Sequence, residues 1–157
     1  MMQALPEAIK KVWYIMEVIG AIVILAIYFA GNWALQHFLK FYLPIWAIWG
    51  LFLAIVLWFV GGILLVRYRY AFYHFMVNGT NVEIKKGFFF RTHTAIPIAR
   101  VQNVDLDQGP ILRVFKLQQV HILTGGSGHQ IEALTEEEAE KFKDRVMTLA
   151  REARHEG

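Results

Sequence analysis

Two long apolar runs without a charge, Val18 to Leu39 and Phe41 to Val66, fill most of the first 66 residues and are divided only by Lys40. In helical geometry, at about 1.5 Å per residue, roughly 20 apolar residues cross the ~30 Å hydrocarbon core of a bilayer. The pattern therefore predicts a two-helix membrane hairpin over residues 12–66, with helices at about 13–35 and 44–66. Residues 1–11 become a short N-terminal segment, 67–154 a water-facing domain and 155–157 a tail. The first run is too long, and begins too late, for the ~7 to 15-residue apolar region of a cleaved signal.

The period changes at Arg67. Residues Arg67 to Val77 are rich in aromatic and β-forming types and lead into Asn78-Gly79, a hairpin signal, so a strand is expected to start almost at the end of the second span. Val82 and Ile84 alternate with Glu83 and Lys85, and Lys86-Gly87 marks a second reversal before Phe88, Phe89 and Phe90. From Ile98 to Asp107 the spacing of Val101 and Val104 breaks alternation and predicts a bulge. A strand over Gln118 to Thr124, a Gly125-Gly126-Ser127-Gly128 turn and a strand over His129 to Ala133 complete a sheet of about six or seven strands.

The last element is a helix. Thr135 at the N-cap and Glu138 three residues on match a capping box, and Ala139, Phe142, Val146, Leu149 and Ala153 form one apolar stripe. That stripe is the surface available to cover the open face of the sheet.

Charge refines the picture in two ways. Lys10 and Lys11 precede the first span, Arg67 and Arg69 follow the second, and the intervening turn holds Lys40 alone, so both termini are expected in the cytoplasm. The water-facing half, tail included, carries thirteen Lys or Arg, from Arg67 to Arg154, against eleven Asp or Glu, from Glu83 to Glu156. That near balance argues against nucleic acid as a partner, despite a pI of about 9.2.

The chemistry-bearing side chains are few. The absence of cysteine excludes disulfides, thiol nucleophiles and thiolate metal sites. The six histidines have no metal-site spacing, and Ser127 lacks the strand-to-helix elbow of a nucleophile, so no catalytic, cofactor or metal site is expected. Glu17 is the acidic residue inside an apolar span and the candidate intramembrane functional residue. Its alternatives are an interfacial or helix-packing role and a path through an oligomeric transporter or channel. Gly20 and Gly61-Gly62 lie at similar depth in an antiparallel hairpin and suit close helix packing.

A meander of strands closed by a C-terminal helix is the plan of a pleckstrin-homology (PH) domain. The run Ile96-Pro97-Ile98-Ala99-Arg100-Val101-Gln102-Asn103-Val104-Asp105, followed by Gln108-Gly109-Pro110-Ile111-Leu112-Arg113, resembles the bacterial PH domains once described as a domain of unknown function. With two spans ahead of it, the chain resembles the YdbS-like membrane proteins. The implied fold class is a membrane α-helical hairpin followed by an α+β PH-like domain, about seven antiparallel strands capped by a helix.

The resemblance also frames the expected function. It implies a non-enzymatic scaffold or interaction subunit at the inner face of a bacterial plasma membrane, whose partner is another membrane protein with several bacterial PH domains; a homo-oligomer is the other assembly open to it. Pro97, Arg100, Gln102, Asp105, Gln108, Gly109, Pro110 and Arg113 carry the family motif and are read as structural. Eukaryotic phosphoinositide-binding PH domains cluster cations around their first hairpin, whereas Asn78-Gly79-Thr80-Asn81 has none. Arg67, Tyr68, Arg69 and Tyr70 at the end of the span are the expected contacts with the bilayer surface instead, where a cation gains about 1 kcal/mol beside anionic lipid.

Overall fold

A computed structural model describes residues 2–38, 40–87 and 90–155. The chain divides into two units, Trp13–Arg67 and a second formed by Met1–Val12 together with Tyr68–Gly157.

The first unit is a helical hairpin drawn from α1 (Ala8–Phe38) and α2 (Ile45–Ala71). At 31 and 27 residues the helices are about 46 and 40 Å long, and both are long and apolar enough to cross a membrane. Large apolar side chains such as Ile27, Phe29, Leu57 and Leu64 are exposed on their outer faces, as in a helix that meets lipid. Three contacts set the antiparallel register. The Tyr28 hydroxyl donates to the Ile48 carbonyl at 3.0 Å, the Trp58 ring lies against Gly20, and the Glu17 carboxylate lies against Gly62. In the turn, Lys40 takes a left-handed conformation with φ 49°, and the Pro44 carbonyl accepts from Ala47 and Ile48 as α2 begins.

The second unit holds two antiparallel sheets and a covering helix. One sheet has the order β1-β2-β3-β4, built from β1 (Gln3–Ala4), β2 (His74–Val77), β3 (Asn81–Lys86) and β4 (Thr92–Pro97). A single 3-10 turn, Ile98–Arg100, leads into the other sheet: β5 (Val101–Asp107), then a short helix α3 (Pro110–Val114), then β6 (Leu117–Thr124) and β7 (Gly128–Thr135), in the order β5-β6-β7. Helix α4 (Glu136–His155) closes the fold.

Helix α4 begins in the capping box that its sequence predicts. The Glu138 amide donates to the Thr135 hydroxyl at 3.3 Å, while the Glu138 carboxylate accepts from the Thr135 amide at 3.1 Å and hydroxyl at 2.8 Å. Its buried stripe is Ala139, Phe142, Val146 and Ala150; Leu149 and Ala153 of the expected stripe are only partly covered. The stripe packs on the 3-10 turn, β5, β6 and β7, over fully buried Val120, Ile122 and Ile131.

Two irregularities decide which side chains face this core. A bulge at Gln102 shifts the β5–β6 register, so Val101 and Val104 are both buried although three residues apart. A second shift, in the β6–β7 pairing, places consecutive Ala133 and Leu134 inside. The first was legible from valine spacing.

The strand expected from Arg67 does not form. Arg67–Ala71 continue α2, and β2 starts only at His74. The alternation Arg67-Tyr68-Arg69-Tyr70 fits a strand by composition, yet none of these types breaks a helix already running, and Arg69 and Tyr70 find their partners at Glu132 and Leu5 from helical positions. The apolar stretch after Gly109-Pro110 is likewise helical at its start, with Pro110 in the first turn and the Arg113 amide bonded to the Gly109 carbonyl at 2.9 Å. Gly87 has φ 79°, as a reversal requires, while Phe88 and Phe89 lie outside the described residues. The N-terminal segment also supplies a strand with no sequence signal: Gln3 and Ala4 pair with Phe75 and His74.

Candidate functional site

The end of α2 is joined to the domain through Glu132 on β7. Arg69 forms an ion pair with Glu132, and the Lys86 ammonium lies 3.7 Å from the same carboxylate and 5.0 Å from the Tyr73 ring centre. Tyr73 is 1 % exposed; its hydroxyl donates to the Gln130 carbonyl at 3.2 Å and accepts from the Glu132 amide at 3.3 Å. Burial, reinforced by the Glu132 carboxylate, raises this phenol well above the ordinary tyrosine range. The next residue in α2, Tyr70, donates to the Leu5 carbonyl at 3.0 Å and carries Lys10 over its ring at 4.4 Å. Of the four expected surface residues, Arg69 and Tyr70 thus have partners within the domain unit, and Arg67 is exposed.

The family-motif residues divide by what they touch. Gln108 ties three elements together, its amide nitrogen donating to the Leu117 carbonyl at 3.0 Å and the Glu136 carboxylate at 2.8 Å, and Gly109-Pro110 starts α3. Asp105 accepts from Asn103 two residues earlier, at 2.6 Å. Pro97 ends β4, and Arg113 is exposed.

Arg100 and Gln102 behave differently. Both are exposed, and with Ala99 and Val101 they form one wall of a 560 Å³ cavity completed by the Thr124–Ser127 turn and Arg154 of α4. The bulge at Gln102 brings its amide nitrogen to 3.1 Å from where a side chain on Gly125 would begin. The Thr124 hydroxyl accepts from the Ser127 amide at 3.2 Å and donates to the Ser127 carbonyl at 2.9 Å, which holds the turn closed. By sequence this glycine-rich stretch is a hairpin turn; the convergence of Arg100 and Arg154 on it has no sequence signal, because they lie 54 residues apart on different elements.

Other candidates stay apart. Glu17 packs on Gly62 within the hairpin, and His37 stacks on Trp33 one helical turn away from it along α1, with ring centres 5.1 Å apart. Ser127 contacts His129 at 3.0 Å, but no carboxylate orients that ring among the described residues. His93 pairs with Glu83 at 2.9 Å and His121 with Asp107 at 3.2 Å, as isolated couples. No group of three or more potential metal ligands occurs among the described residues.

Comparison with known proteins agrees with this architecture. The bacterial PH domain family matches residues 14–150. The transmembrane protein YdbS of Bacillus subtilis (strain 168) is 35 % identical over 153 residues, covering 95 % of this chain and 92 % of that protein. No solved structure matches the chain at a significant level. The match spans the helical hairpin and the two-sheet domain alike, and the chain belongs to the bacterial PH domain family, in the membrane-bound form represented by YdbS.

Proposed function

We propose that this protein is a non-enzymatic interaction subunit, which holds a PH-like domain at the cytoplasmic face of a bacterial plasma membrane so that its free sheet edge recruits a second membrane protein. The observation that carries this reading is the outer edge of β4. Thr92–Pro97 pairs with β3 alone among the described strands, and Thr92, His93, Ala95 and Pro97 are exposed. Such an edge presents backbone donors and acceptors that an added strand can satisfy. Only Phe72 and Tyr73 separate α2 from β2 along the chain.

The partner proposed is a membrane protein bearing several bacterial PH domains, which would offer edges of the same kind. The lysines before α1 and arginines at the end of α2 support cytoplasmic termini. The alternative, a transporter or channel that uses Glu17, rests on that one carboxylate, which lies against Gly62 of its own hairpin.

Purification of the tagged full chain in mild detergent, with mass measurement, tests the proposal. Recovery of a stoichiometric complex with a protein of several bacterial PH domains, unchanged by Glu17→Gln, is the expected result. A homo-oligomer alone that dissociates and loses function on Glu17→Gln would favour the transporter reading.

A further inference from the structure

We propose that the cavity between the 3-10 turn, the β6–β7 turn and the end of α4 binds a phosphomonoester group, with Arg100 and Arg154 as its charged contacts. Among the described residues, both charged residues that line it are arginines, and no Asp or Glu does. Among the described residues Arg100 has no ion pair, and Arg154 is bonded through Nε to the Ala150 carbonyl at 3.1 Å, which leaves its terminal nitrogens for a ligand. A guanidinium presents paired N–H groups that match phosphate oxygens, and two of them balance a group carrying about −1.5 to −2 charges at neutral pH.

The neutral lining is suited to the same ligand. Gln102 adds an amide donor, placed there by the bulge. At the tip of the turn the amides of Gly125 and Gly126 donate to no backbone acceptor among the described residues, whereas Thr124 and Ser127 use theirs on each other. Gly126 has open space where a side chain would begin, so a ligand can approach the backbone there. The volume of 560 Å³ falls within the range of about 300–1,000 Å³ typical of small-molecule sites and exceeds what a bare phosphate fills. This is a different place from the first hairpin, Asn78 to Asn81, which carries no cation.

A phosphomonoester could reach the site as a lipid headgroup or as a free metabolite, and the two sources are separable. The full chain in phosphatidylcholine nanodiscs is titrated with glycerol 3-phosphate by calorimetry; in parallel, nanodiscs containing phosphatidate are followed by phosphorus NMR. The expected result is saturable binding of at least one probe, weakened at least tenfold by Arg100→Gln and by Arg154→Gln, and unchanged by Arg151→Gln on the same helix. A response to phosphatidate alone assigns the lipid; a response to glycerol 3-phosphate assigns the free ester. Gly125→Ala, which displaces Gln102 and keeps both arginines, weakens binding severalfold and guards against loss of fold in an arginine variant. Absence of saturable binding at millimolar probe, or equal weakening by Arg151→Gln, overturns the assignment.

Discussion

Replacing Tyr73 by Phe removes one oxygen at the connection between α2 and the first long sheet strand. That oxygen bonds both the Gln130 carbonyl and the Glu132 amide, at 3.2 and 3.3 Å, and the site is 1 % exposed, so water has little access to replace it. Each bond is long, which places each near the low end of the ordinary ~0.5–1.5 kcal/mol, and the stranded groups add a desolvation penalty. The expected loss is about 1–3 kcal/mol. All five tryptophans (Trp13, Trp33, Trp46, Trp49 and Trp58) belong to the hairpin unit, so fluorescence would miss the change. Urea titration in mild detergent, read by far-UV ellipticity, follows the domain while the detergent-solvated hairpin persists.

A second readout identifies the hydroxyl itself. The folded phenol titrates above its unfolded value near 10, so the folded state holds the proton where the unfolded state has released it. Wild-type stability is therefore complete below about pH 10 and falls above it, by up to ~1.4 kcal/mol per pH unit. Tyr73→Phe should lack that component of the alkaline loss. A variant within about 0.3 kcal/mol of wild type, with the same decline above pH 10, would refute this account of Tyr73.

Three further substitutions test separate parts of the fold. Gly62→Ala puts a methyl group where the end of the flexible Glu17 side chain lies, so the carboxylate must swing aside, and with the helix propensity gained by alanine the hairpin should stay within about 1 kcal/mol of wild type in detergent-exchange unfolding read by tryptophan fluorescence; a larger loss, relieved by adding Glu17→Ala, would show that the carboxylate is held in place. Thr135→Ala breaks the capping box and should cost about 1 kcal/mol, seen as a lower urea midpoint at an unchanged slope. Gly87→Ala forces an alanine to φ 79° against the Phe90 carbonyl, and a melt should show a loss of at least about 1–2 kcal/mol.

The parts of this fold legible in the sequence are those set by local rules. Span length, the Val101–Val104 spacing and the Thr135–Glu138 pair each declare a helix, a bulge and a cap through contacts a few residues apart. The misread parts depend on distant partners. Arg67–Ala71 carry a strand-like alternation, but the helix persists there as Arg69 reaches Glu132 and Tyr70 reaches Leu5. Gln3 and Ala4 form a strand only because β2 offers an edge. The cavity depends on Arg100, Gly125 and Arg154 meeting through the bulge and α4, which no spacing along the chain encodes. Within the motif, Gln108 links three elements while Arg100 faces solvent, a difference that depends on partners distant in the chain.

The central claim concerns recruitment through the free edge of β4, and photo-crosslinking in living cells tests it most directly. A photoreactive residue is placed at His93 or Ala95, at positions from Asn103 to Gln119, and at Arg151 as a control on α4. The account predicts a discrete adduct from the β4 positions to a membrane protein with several bacterial PH domains, and none from Arg151. Adducts from β4 only to lipid or to a second copy of this chain, or equal yields from Arg151, would contradict it.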